Sequence, residues 1–450
     1  MTDSSVKLQY SNDTVFFDTI FTDTGSQTKE LLIYNNNDGS IKIDKLFIDV
    51  TLNNRYFLNV NGVSGTEFND IILEKNDSIY VFIQTKLAEN GVDTMLKHTD
   101  AIVIEYNNNA DLVNVLSWGQ DVTKLIGKSV NTETWNSVKP YYIFDSLVIN
   151  EGETLTLEAG VRLFFTFNSN LIVKGNLVVN GTRENPVYFL PDRMEHRRST
   201  YPGNWGSIQI KETSTNNHFS WAVIKNAIHG LYVSKSQHRI NITLENTKIE
   251  NMFYTGIYAP NCSVYATNCL FSNCAQYIIA AMGGKHSYIH CTIGNVINVT
   301  GNLRFTPSVL VSDYYVANNE QIETDSVTFL NCIIVGDYST EIKFDKKFSE
   351  DLPWQAKYSL LKWNDKDGAF DSNKYLNNCF QYDSDSSLFV NGKINDFQLD
   401  TLSQAINKAG LIDNSVSEFD LNGKSRKIDS KPDCGAYEYF YSPPVLKPTE

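Results

Sequence analysis

The sequence predicts an all-β protein in which a β-sandwich precedes a parallel β-helix. The main observation is a six-residue cassette that recurs between Trp221 and Gly336, with repeat lengths typical of solenoid proteins. Within each cassette, small and large apolar residues alternate with mixed positions, and a period of two indicates a strand. The large apolar residues recur at intervals of 25, 22, 22 and 41 residues, and they are Ile224, Ile249, Phe271, Ile293 and Ile334.

An antiparallel sandwich with coincidental spacing is the competing interpretation, but aligned cassettes argue against it. The first 120 residues differ, because turns rich in Asn, Asp and Gly separate short alternating strands there. Turn signals about every ten residues favour an immunoglobulin-like β-sandwich over residues 1–120, and the absence of cysteine excludes an antibody-type disulfide. The predicted strands are Val15–Phe17, Glu30–Tyr34, Ile41–Phe47, Tyr56–Val60, Ser78–Gln84 and Ala101–Tyr106.

The remaining chain divides by composition. Residues 121–140 are rich in Thr, Asn and Lys and are predicted to be a linker, after which residues 141–440 form the β-helix. Residues 441–450 contain several prolines and are predicted to be a frayed tail. The long interval between Ile293 and Ile334 predicts either an irregular coil or an outward loop that includes Asp313–Tyr315.

The cassettes also predict columns of like residues along the solenoid axis. Each closing Asn tolerates left-handed backbone, and stacked side-chain amides would bond from coil to coil. We expect this column to contain Asn226, Asn251, Asn273 and Asn295. His290 occupies a turn position that Asn fills in other cassettes, so hydrogen bonding in a column is favoured over catalysis.

Three of the seven cysteines share the small inward position of the cassette: Cys269, Cys291 and Cys332. Neighbouring Cα atoms would lie about 4.8 Å apart, within reach of a disulfide bond. Because Ala222 and Thr247 fill the same position elsewhere, we expect stacked, reduced thiols.

Composition excludes two classes of partner. Asp plus Glu number 52 against 38 Lys plus Arg, and a net charge of −14 disfavours nucleic acid and anionic membranes. No apolar run reaches the length of a transmembrane helix.

Outward aromatic residues are the first candidates for ligand binding. A second strand in each coil directs Leu231, Ile257 and Ile278 inward, and it directs Tyr232 and Tyr258 outward. These tyrosines should stack, near Trp205 or Trp221, and aromatic rings bind the apolar faces of sugars. The alternative is that the rings only cover the flank of the solenoid.

A basic island is the second candidate. Arg193, Arg197 and Arg198 lie in a predicted loop, and Arg side chains bind carboxylates and sulfates well. The alternative is a solvated loop that Asp192 and Glu195 neutralise.

No cofactor is predicted, and metal candidates are weak. Asn364–Asp371 superficially resembles a calcium loop, but Trp363 would occupy its first ligand position, so the EF-hand pattern fails. A simple turn is the better interpretation, and the weak metal candidates are Asp365, Asp367 and Asp371.

Several segments resemble bacterial right-handed parallel β-helix proteins that carry an N-terminal immunoglobulin-like module. The similar segments are Phe17–Phe21, Lys29–Asn35, Leu147–Val161, Leu171–Thr182, Asn185–Phe189, Gly203–Gly206, Asp396–Leu399, Ser403–Ile406 and Asp433–Tyr439. Members of this family are typically secreted or lipid-anchored surface proteins of unassigned activity. The sequence begins without a signal peptide, which fits either a cytoplasmic protein or a precursor whose export or lipoprotein signal is missing from this sequence. The resemblance favours the second explanation and therefore implies an extracytoplasmic location.

Catalytic motifs of related folds are absent. The sequence has neither the Asp-Asp dipeptide of polygalacturonases nor the Trp-x-Asp-His strand of pectate lyases. We therefore predict a monomeric protein that binds a polysaccharide or cell-envelope glycan, or acts in adhesion, without catalysis. Two alternatives stay open: a lyase or glycoside hydrolase acting on an acidic polysaccharide, with Ca²⁺ required only for the lyase, and a structural spacer.

Overall fold

The computed structural model describes residues 5–50, 55–193, 200–296, 304–364, 372–384, 387–412, 418–429 and 431–440. Contacts divide the chain into two compact units, Met1–Thr123 and Lys124–Glu450. Regular structure is almost entirely β. In the described ranges the helical exceptions are α1 (Ser372–Tyr375) and a 3₁₀-helix (Gly392–Ile394).

The first unit is a sandwich of two five-stranded sheets. Alternating residues of both sheets meet in one buried core that contains Phe17, Ile33, Val81 and Ile104. The strands are β1 (Gln9–Tyr10), β2 (Thr14–Phe21), β3 (Lys29–Asn35), β4 (Ile41–Asp49), β5 (Arg55–Val60), β6 (Val63–Gly65), β7 (Glu67–Leu73), β8 (Asp77–Lys86), β9 (Leu96–Tyr106) and β10 (Asn109–Gln120).

The strand orders are β1-β3-β8-β5-β6 and β2-β10-β9-β4-β7. Neighbouring strands are antiparallel except β2 and β10, which pair in parallel. All six predicted strands lie within observed strands, so the β-sandwich is confirmed. Its immunoglobulin-like assignment stays a prediction.

The second unit is a parallel β-helix with three ladders of stacked strands. Ladder 1 is a separate ten-stranded sheet whose strands pair in parallel, one strand from each coil. Its strands are β12 (Glu133–Trp135), β14 (Thr154–Glu158), β17 (Asn176–Asn180), β20 (Asn216–Ser220), β23 (Ile240–Glu245), β26 (Cys262–Thr267), β29 (Gly284–Ile289), β34 (Thr324–Leu330), β37 (Trp354–Lys357) and β39 (Leu376–Asn377).

Ladder 2 contains the cassettes recognised in the sequence. Its large apolar residues lie one above another in parallel register, from Ile224 through Ile249, Phe271 and Ile293 to Ile334, as predicted. Its strands are β13 (Tyr141–Ile149), β15 (Arg162–Phe165), β18 (Val187–Pro191), β21 (Ala222–Lys225), β24 (Lys248–Met252), β27 (Leu270–Cys274), β30 (Thr292–Asn295), β35 (Ile333–Gly336), β38 (Leu360–Leu361) and β40 (Phe380–Gln381).

Ladder 3 begins with the second half of β13, which continues across a corner and joins ladders 2 and 3 into one sheet. One predicted inward residue is corrected by one position, because Ile279 rather than Ile278 aligns with Ile257, although both are buried. The other strands are β16 (Asn170–Val173), β19 (Ile208–Ile210), β22 (His229–Val233), β25 (Thr255–Pro260), β28 (Ile279–Met282), β31 (Val309–Ser312) and β36 (Ile342–Asp345).

The predicted linker at 121–140 is wrong, because residues 121–123 belong to the first unit and residues 124–140 already belong to the solenoid. This segment contains β11 (Thr123–Val130), which joins the sheet beside β13, and β12, which pairs with β14. Trp135 of β12 is buried in the solenoid core beneath Leu157. The polar composition of this segment reflects its exposed positions.

The long interval before Ile334 contains an outward excursion, since β30 pairs directly with β35. Part of it is a hairpin of β32 (Tyr314–Tyr315) and β33 (Glu320–Gln321). Asp313 fixes this excursion by accepting hydrogen bonds from the backbone N–H groups of Lys347, Phe348 and Ser349. These donors lower the pKa of Asp313 despite its burial.

Two polar columns stabilise the corners between ladders. The predicted column forms between Asn251 Nδ2 and Asn226 Oδ1, 2.6 Å apart, but Asn273 donates to Asn395 instead, and Asn295 donates to the Cys274 carbonyl oxygen. The second column lies at the corner between ladders 1 and 2, which we call the first corner. It includes Asn268 donating to Asn246 at 2.6 Å and Asn331 donating to His290 at 3.0 Å, which confirms the column role of His290.

The cysteines at the small cassette position point into the core. Cys269, Cys291 and Cys332 are fully buried free thiols, and burial raises the pKa of the Cys269 and Cys332 thiols. These side chains act as small apolar core residues in the structure.

Candidate functional site

The described C-terminal ranges 387–412, 418–429 and 431–440, here together called the strap, cover the outward face of the middle coils of ladder 2. The strap includes the antiparallel strands β41 (Phe389–Asn391) and β42 (Asp396–Leu399). Leu270 packs against Phe397 and Tyr437 of the strap, and Ile333 packs against Leu388 and other strap residues. The outward face is therefore buried where the strap covers it.

A buried polar network fixes the strap to the first corner. Arg426 Nη1 donates to Glu438 Oε1 at 2.5 Å, and its Nη2 donates to Asn268 Oδ1 at 2.7 Å. Asn331 exchanges two hydrogen bonds with the backbone of Gly410, each 2.8 Å long. Since a buried charge needs a partner, this network makes the docked position of the strap specific.

An open cleft lies where the strap meets the first corner, and its volume is about 1070 Å³. One wall is formed by strap residues Glu418, Phe419, Asp420 and Gly423, and Phe419 is 54% exposed. The floor and second wall combine an aromatic pair, Trp221 and Tyr265, with polar groups of three coils. Those polar lining residues are Thr182, Arg183, Glu184, Glu245, Asn246, Thr267 and Asn268.

Trp221 lies at the first-corner position that Asn246 and Asn268 occupy in the next coils. All three residues have left-handed backbone, with φ of 51°, 51° and 57°. Asn adopts this conformation readily, whereas a bulky residue there is an outlier that costs about 1–3 kcal/mol. Strained residues of this kind cluster at functional sites, which draws attention to the wall of the cleft.

The charges of the cleft are mostly paired. Arg183 and Glu184 form an ion pair of 2.8 Å, and Glu418 pairs with Lys427 at 3.4 Å. Arg183 donates a hydrogen bond that lowers the pKa of Glu184. Within the described part of the chain, Glu245 has no cationic partner, so it is the free carboxylate of the cleft.

Asp420 lines the cleft, but its carboxylate, like that of Glu438, is engaged within the strap. Asp420 accepts the backbone N–H groups of Asn422, Lys424 and Glu438, which makes it a structural carboxylate. Burial raises the pKa of Glu438 to about 7, but this side chain is 2% exposed and bonded to Arg426. It therefore cannot reach a ligand as an acid.

Trp205 is the clear correction among the predicted ligand residues. Its side chain is fully buried, its ring stacks on Phe165 at 4.3 Å, and its Nε1 donates to the Lys225 carbonyl oxygen at 2.7 Å. The predicted position near the outward tyrosine stack is therefore wrong, because the ring enters the solenoid core. Sequence reasoning missed Tyr265 and Phe419, which line the cleft with Trp221.

Tyr232 and Tyr258 stack in neighbouring coils as predicted, with ring centroids 4.9 Å apart and planes at 6°. Their ring faces are covered by each other, and His229 and Tyr315 flank the pair at 5.1 and 6.4 Å. Burial raises the pKa of Tyr258. A self-packed stack of this kind exposes ring edges rather than the faces that a sugar requires.

The basic island and the metal candidates lie mainly outside the described residues. Arg193 is partly buried beside Asp192, and Arg197 and Arg198 fall outside the described ranges. Asp365, Asp367 and Asp371 fall outside them as well. Elsewhere in the described chain no cluster of His, Cys, Asp or Glu side chains is arranged to hold a metal ion, and no helix there is long and apolar enough to cross a bilayer.

Comparisons with known proteins support the solenoid. Residues 229–349 match the protein-family model described as "Right handed beta helix region". A segment of 126 residues, 28% of this chain, is similar at 29% identity to Protein bark beetle of Drosophila melanogaster. The chain spans 4% of the length of that protein.

Three solved structures show weak likeness. The ASH/PapD-like domain 7 of human CEP192 is 12% identical over 26% of this chain and 85% of that chain, with a TM-score of 0.18. A family 123 glycoside hydrolase from Clostridium perfringens is 9% identical over 24% of this chain and 22% of that chain, with a TM-score of 0.18. A protein of unknown function from Porphyromonas gingivalis W83 is 12% identical over 28% of this chain and 60% of that chain, with a TM-score of 0.19. TM-scores this low do not indicate a shared fold. The family match and the parallel ladders confirm the right-handed parallel β-helix predicted from the sequence.

Proposed function

We propose that the cleft beside the strap binds a neutral glycan chain without cleaving it. The observation that carries the proposal is the lining itself, which combines Trp221, Tyr265 and Phe419 with amide and hydroxyl groups. Aromatic faces bind the C–H faces of sugars, and amides donate to and accept from hydroxyl groups. As part of the same proposal, the ligand is a polysaccharide or envelope glycan outside the cytoplasm, and the protein is monomeric.

The charge of the cleft favours a neutral ligand over an acidic one. Its one arginine, Arg183, is already paired with Glu184, and Glu245 adds an unpaired negative charge. An anionic polysaccharide would meet repulsion there, and the described lining residues offer it no free cation. This argues against the alternative of an enzyme acting on acidic polysaccharides at this cleft.

The carboxylates support binding rather than hydrolysis. Glycoside hydrolysis commonly needs one carboxylic acid with a raised pKa and a second carboxylate as base or nucleophile. The pKa of Glu184 is lowered rather than raised, and Glu418 is paired with Lys427. Asp420 already accepts three backbone N–H groups of the strap. Glu245 therefore stands without a second group suited to acid–base work.

The test is calorimetric titration of the full chain with cellohexaose, mannohexaose and hexagalacturonate. We expect binding of a neutral hexamer that weakens about tenfold or more in Trp221→Asn and Tyr265→Ala. Trp221→Asn restores the residue of the neighbouring corners, so the fold should be retained. Tyr254→Ala is the matched control, because Tyr254, in the turn between β24 and β25, is 39% exposed, while Tyr265, on ladder 1, is 38% exposed.

Binding of no hexamer would favour the spacer alternative. If Tyr254→Ala alone abolished binding, the binding site would be assigned to the tyrosine stack of ladder 3 instead of the cleft. Release of shortened sugars during incubation would show that the cleft is catalytic and would contradict the proposal.

A further inference from the structure

A second groove lies on the β-sandwich, on the outward face of the sheet that contains β5 and β8. Its volume is about 640 Å³, which is within the range of small-molecule sites. Phe57 and Phe82 are 55% and 38% exposed there, and Tyr80 extends the aromatic row with its ring 6.0 Å from that of Phe82. Several large aromatic side chains on one sheet face are unusual for a surface without a partner.

The strand register places aromatic and amide groups in a chequered pattern. Phe57 is paired with Gln84 across β5 and β8, and Asn59 is paired with Phe82 two residues further along. Opposite residues of an antiparallel pair lie about 4.5–5.5 Å apart between Cβ atoms, so each ring has an amide beside it. This arrangement matches the surface of a pyranose, which has apolar C–H faces and hydroxyl groups along its edges.

The amides are held in place by neighbouring side chains. Gln84 Nε2 donates to Thr28 Oγ1 at 2.7 Å, and Asn59 Nδ2 donates to Ser64 Oγ at 3.1 Å. Among the described residues, none donates to the side-chain oxygen of Gln84, which leaves an acceptor directed by its own hydrogen bond. Preoriented polar groups of this kind reduce the entropic cost of binding.

The uncharged lining of the groove favours a neutral ligand. The residues that line the groove include no ionisable side chain, although the whole chain has a net charge of −14. A neutral groove gives no attraction to an anionic or cationic ligand, and the net charge disfavours a second copy of the chain. A stable protein interface also needs about 800 Å² from each partner, which would extend onto the charged neighbours Glu30 and Arg55.

We propose that this groove is a separate binding site for neutral pyranose oligosaccharides, with Phe57 and Phe82 as the ring platform and Gln84 and Asn59 as the hydroxyl contacts. The proposal does not depend on the cleft of the β-helix, because no residue is shared between the two sites.

The test uses the full chain in which Trp221→Asn and Tyr265→Ala disable the cleft. Titration with cellohexaose and mannohexaose should still show a bound hexamer. Adding Phe57→Ala and Phe82→Ala should weaken binding about tenfold or more, and Gln84→Ala should weaken it about two- to tenfold. Phe16→Ala is the control, since Phe16 is 48% exposed on the other sheet of the sandwich.

Unchanged binding in the Phe57→Ala, Phe82→Ala protein would overturn the proposal, as would the absence of neutral-hexamer binding once the cleft is disabled. A dimer in light scattering that dissociates on the same substitutions would also overturn it, because the face would then be a self-association surface. The cleft is judged separately, by comparing the wild type with the chain in which only Trp221 and Tyr265 are changed.

Discussion

The outward face of ladder 2 differs between neighbouring coils. In β21 and β24 it carries Lys225 and Glu250, which form an ion pair of 2.8 Å. In β30 and β35 the same positions hold Gly294 and Val335, which are buried. The inward residues of these strands are alike, so the outward residues determine where the strap docks. The cleft opens at the boundary between the two kinds of surface, beside Trp221.

The largest expected effect comes from the anchor of the strap. Arg426→Ala leaves the Glu438 carboxylate and Asn268 without their buried partner, which should cost about 3–5 kcal/mol in the free energy of unfolding. Arg239→Ala is the control, because the pair of Arg239 with Asp325 is partly exposed and should contribute about 0–1 kcal/mol. Urea unfolding measures both, and equal losses would show that the strap network does not hold the covered coils.

A smaller effect on stability is expected at Gly294 and Ser272, which occupy the same outward cassette position in neighbouring coils. A Cβ atom at Gly294 would lie 2.3 Å from Phe397 Cε1, so Gly294→Ala should destabilise by about 1–3 kcal/mol through overpacking. Ser272, one coil earlier, is buried, and its hydroxyl has no hydrogen-bond partner among the described residues, so Ser272→Ala should be neutral or stabilising. Thermal unfolding compares the two. Similar shifts would mean that Phe397 does not pack closely on this face.

The smallest expected effect concerns pH. Burial and Arg426 lower the pKa of His290, so folded His290 stays neutral while the unfolded chain gains a proton below about pH 6.5. The stability that this group contributes is therefore present above that pH and is lost as the pH falls. His290→Asn removes this pH-dependent loss of stability, and it introduces the residue that occupies the first corner in other coils.

The stability difference between His290→Asn and the wild type should shift by about 1–2 kcal/mol in favour of the variant between pH 7.5 and pH 5. The pKa of Glu438, raised to about 7, acts in the opposite direction between about pH 4.5 and pH 7, but it is present in both proteins and cancels in the difference. A pH-independent difference in urea unfolding would contradict the neutral state of His290.

Residues with one dominant role could be predicted from the sequence. Ile249, Phe271 and Ile293 recur as large residues at a fixed position, and only stacking buries them together. The docking of the strap could not be predicted from the sequence. Its only signal is that outward residues of ladder 2 change from charged to apolar along the solenoid, and this change does not show which segment covers them. Leu270 and Ile333 were visible in the cassettes, but the segment that covers them is more than 50 residues away in sequence.

The candidate sites were harder to predict, because side-chain direction at coil boundaries depends on the local backbone. Trp205, between Gly203 and Gly206, enters the core, whereas Trp221 takes a left-handed corner position and lines the cleft. Tyr265 and Phe419 come together only when the strap folds back on the solenoid. Their sequence neighbourhoods therefore give no indication that they share a surface.

Hydrogen exchange followed by mass spectrometry, with and without a neutral hexasaccharide, tests most directly whether strap and first corner together form a ligand site. Added protection in peptides covering both 418–423 and 245–268, with little change in 229–233, is the expected result. Protection confined to the ladder 3 peptides, or no protection anywhere in the β-helix under saturating sugar, would contradict this account.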